Sequence, residues 1–320
     1  MAVPALQFYW LTGGFFLGMF FMYNLMPFRT NVQKAHGRHH ARADTNPILK
    51  FGNPGPVADL LERTAYTASF NRKDRIPHWV GEHLTAQGII KGDGVTRDSS
   101  SFVGDPAIPA LFRITTKDYT YSGYDRGHMA PAGDAGATQA GLDQTFLLTN
   151  IAPQVGVGFN RQYWAYLETF VRDLTKNYTD VYVYTGPLFL PTVDNAAGAT
   201  GSSAEYAFAG AKVTFGDDGI QKRATSNSNK YTMTYKVIGD TTANVAVPTH
   251  FFKIVLSVKD GKYTLGAFVL PNQAIDNSVP LTSFQVDLQA IEKASGLLFF
   301  DTLDRSTFLK LCDAVSCVVK

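Results

Sequence analysis

Cysteine is nearly absent: the 320 residues include only Cys312 and Cys317. Two thiols cannot complete the four-ligand shell of a structural zinc, so a zinc-built core is excluded and the pair is left as a disulfide or two free thiols. Net charge is also scarce, at +2 with 18% charged residues. Residues 1–50 hold five Lys/Arg against one Asp, which leaves the rest of the chain at −2. A body of that charge does not track a polyanion by bulk electrostatics, so any contact with one must use a local patch. No repeat with a period of roughly 20 to 50 residues is visible, which excludes a solenoid or propeller.

The first 28 residues carry no charged side chain, and residues 6–28 are almost wholly apolar or aromatic. That length is close to the ~20 residues a helix needs to cross a bilayer, and Gly14 and Gly18 would let two such helices approach closely. A secretory signal would begin with positive charge and end at a small-residue cleavage site, and neither feature is clear here. The expectation is a membrane anchor through residues 6–28, with a removed signal as the alternative. A solvated basic linker runs on to residue 50, and its His36, His39 and His40 belong to that arm. With 45% hydrophobic content, residues 51–320 suffice for one large domain.

What the body does have is the run Asp125-Arg126-Gly127-His128-Met129-Ala130-Pro131. It sets a base that titrates near neutrality two residues from a permanent cation whose planar fork matches phosphate oxygens, a combination suited to phosphodiester chemistry. Downstream stand Thr149-Asn150, Gln154, Asn160, Arg161, Trp164 and Glu168. Asn160, Trp164 and Glu168 are spaced i, i+4, i+8 and on a helix form one slowly drifting stripe. An amide oxygen and a carboxylate on one stripe can hold a hydrated hard cation.

Apolar periodicity predicts strands over 64–71, 77–84, 146–151, 181–185, 231–238, 245–258 and 263–269, and a helix over 160–177. Further helical patterns cover 290–295 and 306–313. Residues 192–230, rich in Gly, Ala, Ser and Asn, read as a mobile surface insertion.

These landmarks, in this order, resemble the DNA/RNA non-specific endonucleases, and within them mitochondrial endonuclease G and its fungal counterparts. The resemblance also rests on Trp79-Val80-Gly81-Glu82-His83, Tyr184-Thr185-Gly186-Pro187, Val247-Pro248-Thr249-His250 and Ala294-Ser295-Gly296, and covers nearly everything after residue 50. It implies an α+β fold of the ββα-metal, or His-Me finger, type, with a central mainly antiparallel sheet and helices packed on both sides. The activity implied is hydrolysis of phosphodiester bonds in DNA and RNA, sugar-non-specific, leaving 3′-hydroxyl and 5′-phosphate ends. His128 would be the general base, and Asn160 the protein ligand of Mg²⁺ (or Mn²⁺), with Glu168 acting through a metal-bound water. Arg126 and Arg97 would neutralise phosphate charge, and Asn150 would orient the histidine or a phosphate. Asp125 reads as a turn-holding residue, and His250 as a core or interface group.

The family also implies a homodimer and a mitochondrial location at the inner membrane or intermembrane space. Secretion is the alternative, compatible with the sequon Asn177-Tyr178-Thr179. The stretch Met129-Ala130-Pro131-Ala132-Gly133 matches fungal members better than animal ones, so preference between DNA and RNA does not transfer. Two other functions compete: a membrane-tethered nucleic-acid-binding module without catalysis, and a phosphodiesterase of small substrates in a closed pocket.

Overall fold

The computed structural model describes residues 46–52, 59–193, 205–208, 211–216, 219–223 and 231–319. The expected anchor at 6–28 and most of the basic linker lie outside them. Among the described residues, no helix is long and apolar enough to cross a membrane.

The body is organised by a seven-stranded sheet. Strands β1 (Asp59–Glu62), β2 (Tyr66–Asn71) and β3 (Ile76–Leu84) are followed in chain order by β4 (Asp125–His128), β5 (Ile151–Gln154) and β6 (Asp180–Leu188). The short strands β7 (Thr192–Val193), β8 (Glu205–Phe208), β9 (Ala211–Gly216), β10 (Gly219–Arg223), β11 (Tyr231–Thr232), β12 (Val237–Ile238) and β13 (Val245–Ala246) come next, then the two longest, β14 (His250–Lys259) and β15 (Lys262–Pro271), and last β16 (Leu309–Lys310). The sheet order is β1-β2-β3-β6-β14-β15-β16, antiparallel except for the final pair.

Side chains alternate across this sheet and fill two cores. Helix α1 (Gln139–Thr145) precedes β5. Phe251 and Val255 of β14 face one core, which also takes Val80, Val183 and Phe268 and is covered by Trp164, Leu167 and Val171 of helix α2 (Trp164–Asp173). Phe252, Ile254 and Leu256 face the other, covered by Leu288 and Ile291 of helix α3 (Leu288–Ser295) with Phe299 and Phe300. Each fully buried Phe, Leu or Val contributes on the order of 1.5–3 kcal/mol before chain entropy is opposed. The expected α+β architecture, with helices on both sides of a mainly antiparallel sheet, is therefore present.

Several local expectations are corrected. Residues 148–150 form a 3-10 turn, and the strand begins only at Ile151. Across 231–238 only Tyr231–Thr232 and Val237–Ile238 pair with other strands. In place of one helix over 306–313 there is a 3-10 turn, the β16 strand and a single turn of helix at Leu311–Ala314. The described parts of 192–230 are strands, Glu205–Phe208, Ala211–Gly216 and Gly219–Arg223, in a five-stranded antiparallel sheet. The alternation Lys212-Val213-Thr214-Phe215 sits among Gly-, Ala- and Ser-rich neighbours that read as loop. Residues 46–50, read as linker, pack onto the sheet: Ile48 and Leu49 are buried, and the Tyr184 hydroxyl donates to the Ile48 carbonyl at 2.8 Å. Cys312 and Cys317 are joined in a disulfide.

His250, at the start of β14, is wholly buried, with Nδ1 2.9 Å from Thr249 Oγ1. Burial pushes its pKa down to about 3 from the ordinary 6.5. The folded protein thus keeps the ring neutral while the unfolded chain protonates, and the stability this carries is full above pH 6.5 and lost as pH falls toward 3. Between pH 7 and 5 the loss is about 2 kcal/mol. In urea unfolding at these two pH values, His250→Gln should lose less stability than the wild type by about that amount; equal losses would show that His250 is not the titrating group.

Candidate active site

The motif run folds into a small ribbon. Strand β4 pairs antiparallel with β5, aligning Asp125 with Gln154 and His128 with Ile151. The approach is so close that a Cβ on Gly127 would fall inside the Gln154 side-chain amide, so only glycine fits. After β5 the chain enters α2 through a wide turn. Val157 is extended, Gly158 has φ +83°, and the Asn160 N–H donates to the Val155 carbonyl, five residues back. A side chain at Gly158 would meet Ala274 as well as the unfavourable φ. Strand β4, the wide turn and α2, with Arg97 from a loop ahead of them, thus bring side chains to one open cleft of about 840 Å³, lined by Arg97, Arg126, His128, Asn160 and Glu168.

Asp125 connects the two halves. Its Oδ2 accepts from Asn160 Nδ2 at 3.0 Å and from Arg161 Nε at 2.7 Å, and its Oδ1 accepts from Arg161 Nη2 at 2.6 Å. The Arg161 hydrogen bonds, with help from Asn160, hold the Asp125 carboxyl below the usual carboxylate range. The amide of Asn160 is thereby oriented: its NH₂ is spent on Asp125 and its Oδ1 is left as the acceptor in the cleft.

His128 sits between two aromatic rings, 5.3 Å from Phe102 and 5.0 Å from Phe146 between centroids. The same rings carry the arginines, with Arg126 4.7 Å over Phe102 and Arg97 5.3 Å over Phe146. Burial, with the Arg97 cation adding to it, pushes His128 down to about 3. The imidazole is therefore neutral, the form a general base needs. Its Nε2 is sealed from solvent without a hydrogen-bond partner, while the residue itself lines the cleft.

Glu168 lies one helical turn from Arg172, whose guanidinium is paired with the buried Asp134. Burial raises the Glu168 carboxyl to about 7, against the pull of Lys253. Trp164, third member of the expected stripe, does not line the cleft but is buried, with the Lys253 ammonium 4.8 Å over its ring. The wide turn before α2 rotates each residue less than an α-helix does and offsets the drift of the α turn that follows. Asn160 and Glu168 therefore share the cleft, while Trp164 between them turns to the sheet.

The donor set fits a hydrated hard cation. Among the described residues no group of three or more His, Cys, Asp or Glu could cage a metal. One oriented amide oxygen with a carboxylate on the same wall suits an ion that keeps most of its waters.

The family model described as DNA/RNA non-specific endonuclease matches residues 44–306. The chain belongs to that family. It is similar to a protein named "Nuclease" from Syncephalastrum racemosum, 52% identical over 319 residues, covering 96% of this chain and 90% of the relative. To the "Mitochondrial nuclease" of Saccharomyces cerevisiae it is 38% identical, over 91% of this chain and 79% of that one. Among solved structures it resembles the crystal structure of the EndoG/EndoGI complex, with a TM-score of 0.68 and 40% identity over 82% of this chain and 94% of that chain. Family membership makes the protein a hydrolase that acts on nucleic acids.

Against this endonuclease frame one expected residue moves. Asn150 does not reach the cleft: it is wholly buried, its Oδ1 accepts from the Ala130 N–H at 2.9 Å, and its Nδ2 donates to the Ala130 and Thr145 carbonyls at 2.9 Å each. With its amide spent on backbone it cannot also bind phosphate, and it acts on His128 only by fixing the chain two residues on. Sequence reading missed Arg172, which also lines the cleft and which the spacing of Asn160, Trp164 and Glu168 would have reached one step further along. It missed Phe102 and Phe146 as well, for which no local pattern exists. Asn150→Ala should cost about 3 kcal/mol of unfolding free energy in a denaturant titration, because buried backbone groups lose their partners; a loss below about 1 kcal/mol would show that the clamp does not hold this turn.

Proposed function

We propose that this family member is a metal-dependent, sugar-non-specific endonuclease in which His128 is the general base and Asn160 holds a Mg²⁺ or Mn²⁺ ion. The observation that carries the proposal is the convergence of a neutral imidazole and an oriented, unspent amide oxygen on one open cleft walled by arginines. His128 takes a proton from water on Nδ1, which places the ring's own proton on Nε2. The resulting hydroxide attacks phosphorus in line with the leaving 3′-oxygen. Arg126 and Arg97 lie where they neutralise the charge that grows on the phosphoryl oxygens, and Phe102 and Phe146 hold both cations and the base in register. Asp125 keeps Asn160 turned toward the cleft. When bound, the ion supplies positive charge at the leaving oxygen, and Glu168 orients its water shell.

An open cleft favours a polymer over a small phosphodiester, and the presence of both base and amide speaks against a binding module that has lost catalysis. The mitochondrial name of the yeast relative and the Cys312–Cys317 bond support an oxidising mitochondrial compartment such as the intermembrane space. A homodimer and an anchor through residues 6–28 complete the proposal.

With supercoiled plasmid and single-stranded RNA, cleavage should need the metal and stop with chelator. His128→Ala should lower turnover by about 10² to 10⁴-fold. Asn160→Ala should raise the metal concentration needed for half-maximal rate. A folded wild type that cuts neither substrate, or a His128→Ala variant as fast as wild type, would sink this mechanism.

A further inference from the structure

The lining of the cleft includes a residue, Tyr121, that neither packing nor turn chemistry explains. Residues 119–122 form a four-residue turn closed by the Ser122 N–H on the Tyr119 carbonyl at 3.2 Å, with Thr120 at φ −65°, ψ 127° and Tyr121 at φ +56°. These are the angles of a type II turn, whose third position favours glycine because φ is positive there. Tyrosine occupies it instead, in a backbone conformation strained for a bulky residue. The side chain gains no burial in return, since Tyr121 is 102% exposed.

The turn itself is held firmly. Asp118, just before it, is buried and accepts from the Thr115 N–H at 2.8 Å and from Asn244 Nδ2 at 2.8 Å, Tyr119 is buried, and Ser122 Oγ donates to the Tyr119 carbonyl at 2.8 Å. A strained turn on a rigid base thus presents an uncovered aromatic ring to the same cleft that Arg126 and Arg161 line.

We propose that Tyr121 is a stacking platform for one unpaired nucleobase of a single-stranded substrate, whose phosphates lie along the arginines. The inference rests on the nuclease reading and deepens it by naming the form of nucleic acid the cleft favours. Every base offers a π-face, so such a platform is indifferent to sequence, whereas in a duplex both faces are covered by neighbouring pairs and the ring has nothing to receive.

The test uses the full chain with chelator, so that binding is read without cleavage. A single-stranded oligonucleotide containing 2-aminopurine and a duplex of the same sequence are titrated against wild type, Tyr121→Gly and Tyr121→Trp. Wild type should quench 2-aminopurine in the single strand. Tyr121→Gly should bind the single strand about tenfold more weakly and lose the quenching, with a smaller loss on the duplex, and Tyr121→Trp should restore both signals. Because glycine relieves the strain, Tyr121→Gly should melt at or above the wild-type temperature, and a lower melting temperature would make Tyr121 a structural residue and overturn the proposal. Equal losses on the two substrates, or none, would also overturn it. Cleavage with Mg²⁺ separates the two readings: a wild type that cuts nothing refutes the nuclease, whereas a wild type that cuts both forms, matched on both by Tyr121→Gly, refutes only the platform.

Discussion

The Asp125 carboxylate accepts from Asn160 and, through both oxygens, from Arg161, and this contact ties the strand that carries His128 to the turn that leads into α2. Without it the Asn160 amide would lose the one side-chain hydrogen bond shown to orient it. Because Asp125 takes the NH₂, the amide oxygen is the end left as an acceptor. The close ribbon at Gly127 and the left-handed Gly158 are what allow Asp125 to come within reach. A residue that reads as turn-holding therefore also sets the chemistry of its neighbour.

Beneath the cleft the sheet supplies a charged floor. Lys253 of β14 shares its face with Phe251 and Val255 and donates to Thr185 of β6 at 2.7 Å, while its ammonium lies over Trp164. Glu82, Asp134 and Glu168 are the carboxyls near it, with Arg172 as the second cation. Burial raises each of these carboxyls and lowers Lys253; attraction between the acids and the two cations opposes this, while Asp134 pushes Glu82 and Glu168 further up. Three acids against two bases leave one negative charge without a partner if all ionise, which is why Glu168 at the cleft edge is the acid that a bound cation would help to ionise. The floor links the packing of α2 to the electrostatics of the site.

Much of this was legible in the sequence, and the reasons are local. The strands β2, β3, β14 and β15 are dense in apolar and aromatic residues, and Leu167, Val171 and Leu174 recur at helical spacing, so the layers could be read from periodicity. His128, Arg126, Asn160 and Glu168 announced themselves by chemistry within short windows. The strands within 192–230 did not, because their one clean alternation, Lys212 to Phe215, is flanked by stretches rich in Gly, Ala and Ser that read as loop.

The amino-acid sequence by itself determined the family, the sheet-and-helix architecture and the cleft residues Arg97, Arg126, His128, Asn160 and Glu168, since each depends on residue type at short spacing. Tertiary structure alone decided that Asn150 spends its amide on backbone, that Asp125 turns Asn160, that Phe102 and Phe146 bracket His128, and that Tyr121 stands uncovered. Those facts depend on which distant segments meet, and on the phase of one wide turn before α2, neither of which leaves a pattern in the order of residues.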